Sequence, residues 1–306
     1  MMTDLDQNCD AILITGPTAS GKSALAARLA RARGGVVVNA DSMQVYDTLN
    51  VLTARPQPAE MGGVEHLLYG HVPAARLYST GAWLRDVATL LPRLRAAGRL
   101  PVFVGGTGLY FKALTGGLSD MPQIPTEIRE ALRARLAEEG AERLHAELAA
   151  RDSDTAARLM PGDGQRILRA LEVIAATGRS IAAYQRHTVP ALVAPGRSMK
   201  LVVLPERAVL HERIALRFGA MLDGAAVGEV EALLALGLPP DMPVMKAIGV
   251  PQIADYLNGT ISREELVLRG VAATRQYAKR QMTWFRNQMD ESWRRVGSPE
   301  EIGSIS

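Results

Sequence analysis

The residues best placed to do chemistry are Gly16-Pro17-Thr18-Ala19-Ser20-Gly21-Lys22-Ser23. They fit G-x-x-x-x-G-K-[ST], with an apolar run, Ala11-Ile12-Leu13-Ile14, before them and a helix-forming run, Ala24 to Ala30, after them. Glycine at 16 and 21 lets the backbone close round an anion, and a helix N-terminus aims N–H groups and a positive dipole at it. Lys22 brings a mobile positive charge to terminal phosphates, and the Ser23 hydroxyl can ligate Mg²⁺. The spacing predicts a phosphate or diphosphate site; the alternative is a fortuitous glycine-rich turn.

Asp41 follows the next apolar run, Val36-Val37-Val38, which ends at Asn39-Ala40-Asp41. A carboxylate at the end of a strand after such a loop can take a proton from a nucleophile. It can equally hold a metal or cap a helix, and all three readings stand. The run Pro101-Val102-Phe103-Val104 ends in Gly105-Gly106-Thr107 where an ordinary ATPase would carry a carboxylate. The glycines allow close backbone approach and Thr107 offers a neutral donor and acceptor; a simple turn into a helix is the plainer explanation. His66 and His71, with Glu65, suggest metal only superficially, because five residues fit neither a helical nor a strand face. Near the C-terminus, Arg275-Gln276-Tyr277-Ala278-Lys279-Arg280-Gln281-Met282-Thr283-Trp284-Phe285-Arg286 mixes basic, amide and aromatic side chains. Such a face grips phosphates and stacks on unpaired bases; a helix packing Tyr277, Trp284 and Phe285 into a core reads the same.

These residues need a frame. Strands are expected at 10–15, 36–38, 101–104 and 199–204, with helices at 22–33 and 79–97 between them. That alternation implies α/β architecture: a parallel sheet with helices on both faces and a binding crevice beyond the strands' carboxyl ends. From 122 to 186 strand signals vanish and Arg/Glu/Ala/Leu helices take over, at 126–139 and 164–176. The expectation is a P-loop core, 1–121 and 187–306, with an all-helical insertion at 122–186. Helices dominate after 204, the longest near 263–289, and 190–196 reads as a loop.

Composition sets outer bounds. A chain of 306 residues can hold two domains or a core with an insertion. Cys9 is the single cysteine, which excludes an intrachain disulfide and a cysteine-based zinc site and suits a reducing cytoplasm. The acidic start, Met1 to Asp6, lacks the apolar centre of a signal peptide. No apolar run approaches the ~20 residues of a membrane span. A net charge of +3 does not by itself indicate nucleic-acid binding. Of 35 basic residues five are lysines, one of them in the phosphate loop.

Taken together, Gly16–Ser23, Asp41-Ser42-Met43-Gln44-Val45-Tyr46, Gly105-Gly106-Thr107-Gly108-Leu109-Tyr110 and Lys279-Arg280-Gln281-Met282-Thr283-Trp284 resemble the tRNA dimethylallyltransferase (tRNA isopentenyltransferase) family. Arg166–Glu172 and Arg213–Phe218 are similar to it too, and the match is collinear from about residue 10 to 289. The resemblance implies transfer of a dimethylallyl group from dimethylallyl diphosphate to an adenine exocyclic amine, releasing diphosphate. The adenine lies just 3′ of the anticodon in tRNAs reading codons that start with U. It implies that Gly16, Pro17, Thr18, Ala19, Ser20, Gly21, Lys22 and Ser23 hold the donor with Mg²⁺ on Ser23, and that Asp41 is the general base. Lys22, Thr107 and Arg217 would assist at the reaction centre. The implied tRNA contacts are Asp41, Ser42, Met43, Gln44, Thr107, Arg129, Gln165, Arg166, Ile167, Leu168, Arg169, Lys246, Gly249, Lys279, Arg280, Gln281, Trp284 and Arg286. Val250-Pro251 departs from the aromatic–basic pair of many members, and the zinc-finger extension of eukaryotic relatives is absent, so the bacterial type is expected. Partners would be a tRNA anticodon stem-loop and the allylic diphosphate, with no membrane, for a cytoplasmic monomer.

Two other classes remain on the residues alone. A small-molecule kinase would use Asp41 on a hydroxyl acceptor, though the helical insertion is large for a lid. A nucleotide-dependent RNA-binding switch would leave Gly105–Tyr110 unexplained.

Overall fold

The structure, a computed structural model, describes residues 9–117, 119, 121–186 and 190–302. Six strands form one sheet: β1 (Ala11–Thr15), β2 (Val36–Asn39), β3 (His66–Leu67), β4 (Pro101–Gly105), β5 (Ser198–Val203) and β6 (Arg294–Val296). Their order is β3-β2-β4-β1-β5-β6 and every pairing is parallel. β1, β2 and β4 are buried along their whole length. Strands covered on both faces read as continuous apolar runs, which is why these were visible in the sequence.

The helices are α1 (Lys22–Ala32), α2 (Pro58–Met61), α3 (Thr80–Ala96), α4 (Gly108–Gly116), α5 (Thr126–Glu139), α6 (Ala141–Arg151), α7 (Ser153–Ala156), α8 (Gly164–Thr177), α9 (Ile181–Gln185), α10 (Arg207–Asp223), α11 (Ala226–Ala235), α12 (Val250–Leu257) and α13 (Arg263–Gln288). Ser79 caps α3 by accepting from the Ala82 N–H, and Ser262 caps α13 by accepting from Glu265. Four strands were expected and two more are present at the sheet edges. β3 has two residues and β6 three, two of them exposed arginines, so neither carries an apolar run. After residue 204 helices dominate, as expected, and the short β6 stands among them. It is a strand because β5 supplies the pairing, Leu201 against Arg294 and Val203 against Val296.

The chain divides into two compact units, Met1–Thr115 with Leu192–Ser306, and Gly116–Ala191. In the first, α1 and the sheet share a core of Ile12, Ile14, Leu25, Leu29, Val37, Val102, Val104 and Leu201. A second core joins α10–α13 to the segment after β2 through Tyr46, Leu49, Ile214, Phe218, Val230, Ile253 and Val271. The other unit has its own core of Leu144, Leu148, Ile167, Leu168, Leu171 and Ile174.

Strand register brings the motif residues to one level. Ile14 and Val38 flank β4 at Val104 and Phe103, and Thr15 is level with Gly105. β1, β2 and β4 therefore end together and deliver the phosphate loop, Asp41 and Gly105–Thr107 to one edge of the sheet.

Candidate active site

At that edge a cavity of about 420 Å³ is lined by Thr18, Lys22 and Ser23 of the phosphate loop and by Asp41 to Gln44 after β2. Ile214, Arg217, Phe218 and Met221 of α10, Lys246 to Ile248, and Thr274, Tyr277, Arg280 and Gln281 of α13 complete it. Gly21 adopts φ +88 at the N-cap of α1, a conformation that favours glycine. Gly105 is required for a different reason: a Cβ there would lie 2.0 Å from the Ala40 carbonyl oxygen. The glycine lets the β4 turn close onto the Ala40-Asp41 peptide, and Thr107 N–H then donates to Ala40 O at 3.3 Å.

Asp41 is held from several sides. Its Oδ1 accepts from the Met43 N–H at 2.9 Å. Its Oδ2 faces Gly106, where an added Cβ would lie 3.3 Å away. Asn39, fully buried, grips the Asp41 peptide at both ends: Oδ1 accepts from Asp41 N–H at 2.9 Å and Nδ2 donates to Asp41 O at 3.0 Å. Nδ2 also donates to Leu68 O at 3.0 Å, and Trp83 Nε1 donates to the Asn39 carbonyl at 2.8 Å. Thr107 Oγ1 accepts from Ser42 N–H at 2.9 Å and donates to Ser42 Oγ at 3.2 Å. The Gln44 amide donates to Thr53 O and Ala54 O, both at 2.9 Å, and so shapes the cavity wall.

Positive charge gathers opposite the carboxylate. Lys22 Nζ donates to Pro17 O at 3.2 Å. Burial pulls the Lys22 ammonium down to about 8; the Asp41 charge works against that shift and Arg217 adds to it. Arg217 Nη2 donates to the Thr18 hydroxyl. Burial lowers the guanidinium's value, opposed by Asp41 and Glu60. Two desolvated cations beside one carboxylate leave net positive charge that a multiply charged anion would neutralise. The Tyr277 phenol is pushed up by burial and by Asp41, so it stays protonated as a donor.

Ser23 supplies the hydroxyl expected to meet a metal, and it lines the cavity with Asp41. Among the described residues no group of three or more His, Cys, Asp or Glu could hold a metal ion. This donor set fits a cation carried largely on substrate phosphate oxygens, as Mg²⁺ commonly is. His66 and His71 do not converge. His66 Nδ1 lies 2.9 Å from Val64 O, and His71 Nε2 lies 3.3 Å from both Tyr78 Oη and Asp86 Oδ2.

The expected RNA contacts fall into two groups. Lys246, Lys279, Arg280 and Arg286 are exposed, and Lys246 and Arg280 line the cavity. A shallow hollow on α13 joins Lys279, Arg280 and Trp284, whose ring covers Gly108 so closely that a Cβ there would lie 2.2 Å from it. Phe285 is buried in the core. Gly249, φ +99, starts α12 against Leu52, and Pro251 occupies the first turn where its missing N–H does no harm. In the insertion, Gln165 and Arg166 are exposed, while Arg129 and Arg169 flank the buried Glu172 at 3.9 and 3.2 Å. Three expectations need correction. Ile167 and Leu168 pack inside the insertion, because they lie on the apolar face of α8, which leaves their side chains little surface to offer RNA. Gln281 is 5% exposed with its amide bonded to protein groups on both sides.

Asn39 and Trp83 were not anticipated as part of the site, whereas Tyr277 belongs to the basic-aromatic stretch read as either an RNA face or core. Asn39 stands two residues before Asp41 at a strand end, a place where a buried amide is a recognisable signal. Trp83 carries no such local mark.

A family model described as IPP transferase matches residues 44–288, and one described as isopentenyl transferase matches 9–71. The chain is 67% identical over 303 residues to a tRNA dimethylallyltransferase of Rhizobium meliloti, covering 99% of this chain and 100% of that one. It is 68% identical over 296 residues to the same-named protein of Agrobacterium fabrum, covering 97% and 99%. Among solved structures, a tRNA isopentenylpyrophosphate transferase from Bacillus halodurans matches at 32% identity and TM-score 0.66, covering 93% of this chain and 89% of that one. A eukaryotic dimethylallyltransferase acting on tRNA matches at 26% identity and TM-score 0.76, covering 90% and 69%.

Proposed function

Since the chain belongs to the IPP transferase family of tRNA dimethylallyltransferases, we propose that it moves a dimethylallyl group from dimethylallyl diphosphate to the exocyclic amine of the adenine 3′ to the anticodon. The acceptors are tRNAs reading codons that start with U. The observation that carries this reading is the meeting of Asp41 with Lys22 and Arg217 in one cavity. The adenine amine is a poor nucleophile because its lone pair is delocalised into the ring. As its nitrogen bonds to the allylic carbon, the carbon–oxygen bond to diphosphate breaks and one amine proton must leave. Asp41 Oδ2, the oxygen without the Met43 bond, takes that proton. Thr107 acts at one remove from the adjoining turn: its hydroxyl bonds the Ser42 N–H and Oγ and so holds the segment that carries Asp41. The loop N–H groups, Lys22 and Arg217 receive the charge that develops on the departing diphosphate. Ser23, together with the diphosphate, would hold Mg²⁺, which would supply further charge neutralisation.

To reach this cavity the adenine leaves its stack, which costs a few kcal/mol. Contacts elsewhere must offset that. Lys246, Lys279, Arg280 and Arg286 are suitably exposed on the core unit beside the half-buried Trp284, and Gln165 and Arg166 on the insertion. Among the described residues no helix is long and apolar enough to cross a membrane. The anticodon stem-loop is the RNA partner these exposed side chains fit.

The test is mass analysis of an anticodon stem-loop transcript after incubation with protein, Mg²⁺ and dimethylallyl diphosphate. The wild type is expected to add one dimethylallyl group. Asp41→Ala is expected to lose on the order of 10²–10⁴-fold in turnover while still binding the donor. Near-normal turnover in that variant would remove Asp41 as the base. Cleavage of nucleoside triphosphates with no prenylated RNA would overturn the reading as a whole.

A further inference from the structure

Gln281 stands next to Arg280 in the sequence, yet its side chain goes the opposite way from the exposed basic face of α13. Its Oε1 accepts from the Thr18 N–H at 3.0 Å, and its Nε2 donates to the Gly106 carbonyl at 2.9 Å. Thr18 belongs to the phosphate loop and receives Arg217 on its hydroxyl. Gly106 belongs to the turn that faces Asp41. A Cβ at Gly106 would lie 2.2 Å from Gln281 Nε2 and 3.3 Å from Asp41 Oδ2, so the amide and the carboxylate crowd the same point. One carboxamide thus spans from the loop suited to the leaving group to the turn beside the base.

We propose that Gln281 is a positioning residue: a strut that sets the phosphate loop against the Gly105–Thr107 turn and so aligns donor with acceptor. This rests on the prenyl-transfer reading. In that reaction the forming nitrogen–carbon bond and the breaking carbon–oxygen bond share one carbon. The base and the leaving-group cradle must therefore be held in register, and misalignment slows the chemical step without weakening either substrate's own contacts. A rival role as an RNA contact fits poorly, because the side chain is buried and both polar atoms are already engaged.

The experiment compares wild type, Gln281→Met and Gln281→Glu. Measured are kcat, the KM for dimethylallyl diphosphate, the Kd for the stem-loop, and thermal melting. Gln281→Met keeps the length and removes both bonds. Its kcat is expected to fall on the order of 10²-fold, with donor KM and RNA Kd each changed by less than about threefold. Gln281→Glu keeps the acceptor for Thr18 but brings a second carboxylate beside Asp41. Like charges raise a carboxyl's value, so the acid limb of its kcat–pH profile is expected to move upward. A side chain turned outward to RNA would not move that limb, so this arm still tests the inward placement beside Asp41 if Gln281→Met does not fold. An unchanged kcat in Gln281→Met, or an unshifted profile in Gln281→Glu, would overturn the strut. So would a weakened stem-loop Kd that accounts for the whole loss of kcat/KM. Failure of the wild type to prenylate the stem-loop would instead count against the prenyl-transfer reading.

Discussion

Lys22 and Asp41 face each other across the cavity, and the way each is held decides what it can do. Asp41 has one oxygen tied to the Met43 N–H and its peptide clamped by Asn39, which leaves a single oxygen in a fixed direction. Lys22 is desolvated, with its value brought down to about 8. A bound diphosphate favours the ammonium and raises that value again. Between the free and bound values the complex therefore holds one more proton than its free components. Donor affinity is expected to change little between pH 7 and the Lys22 value of about 8 and to fall by up to about tenfold per pH unit above it. Titration calorimetry at pH 7, 8 and 9 reads this directly, as an affinity loss with proton uptake. Equal affinity and no proton uptake at pH 9 would show that Lys22 is charged throughout.

At the scale of elements, α13 does two jobs with two faces. Its inner side gives Gln281 to the site and Phe285 to the core, while Lys279, Arg280 and Arg286 stand in solvent. The helix was expected either to grip RNA or to pack its aromatics inside, and the aromatics divide. Phe285 is core, Trp284 is half-buried over Gly108, and Tyr277 lines the cavity. Replacing Lys279 and Arg280 together by alanine should weaken stem-loop binding and lower the salt dependence of log Kd by about 0.7 for each phosphate that is no longer neutralised. Filter binding from low to moderate salt, with donor affinity as control, measures both. An unaltered slope would mean that neither side chain meets phosphate.

For the whole molecule, the two compact units have separate cores, so a change on one surface should leave the other's function in place. Arg166 makes a suitable probe: its side chain is 75% exposed, with Asp163 as an ion-pair partner at 3.3 Å. Exposed pairs of this kind contribute little to stability. Arg166→Glu is expected to reduce stem-loop affinity several-fold while donor affinity and melting temperature stay constant. Loss of donor binding in that variant would contradict the division of labour. The net charge of +3 is small, and charge is sorted locally, with Lys279, Arg280 and Arg286 exposed on α13. In the insertion, acidic side chains pair many arginines, as Glu139 and Glu147 do Arg135.

Read alone, the chain announced the loop Gly16–Ser23, the strands β2 and β4 that bring Asp41 and Gly105–Thr107 together, and the helical insertion. Each depends on contiguous residues: a loop's backbone N–H groups, an apolar run buried on two faces, a helical period. The short edge strands β3 and β6 lacked such marks because their pairing energy comes from neighbours distant in sequence. The same limit applies to the site. The motif Lys279–Trp284 was visible, but not that Gln281 turns inward to a loop 263 residues away. Nor could the pattern show that Ile167 and Leu168 are buried beside an exposed Arg166. Local chemistry is written in the order of residues. Direction, register and burial are settled only when distant elements pack, because a side chain's neighbours across space determine which of its bonds are made.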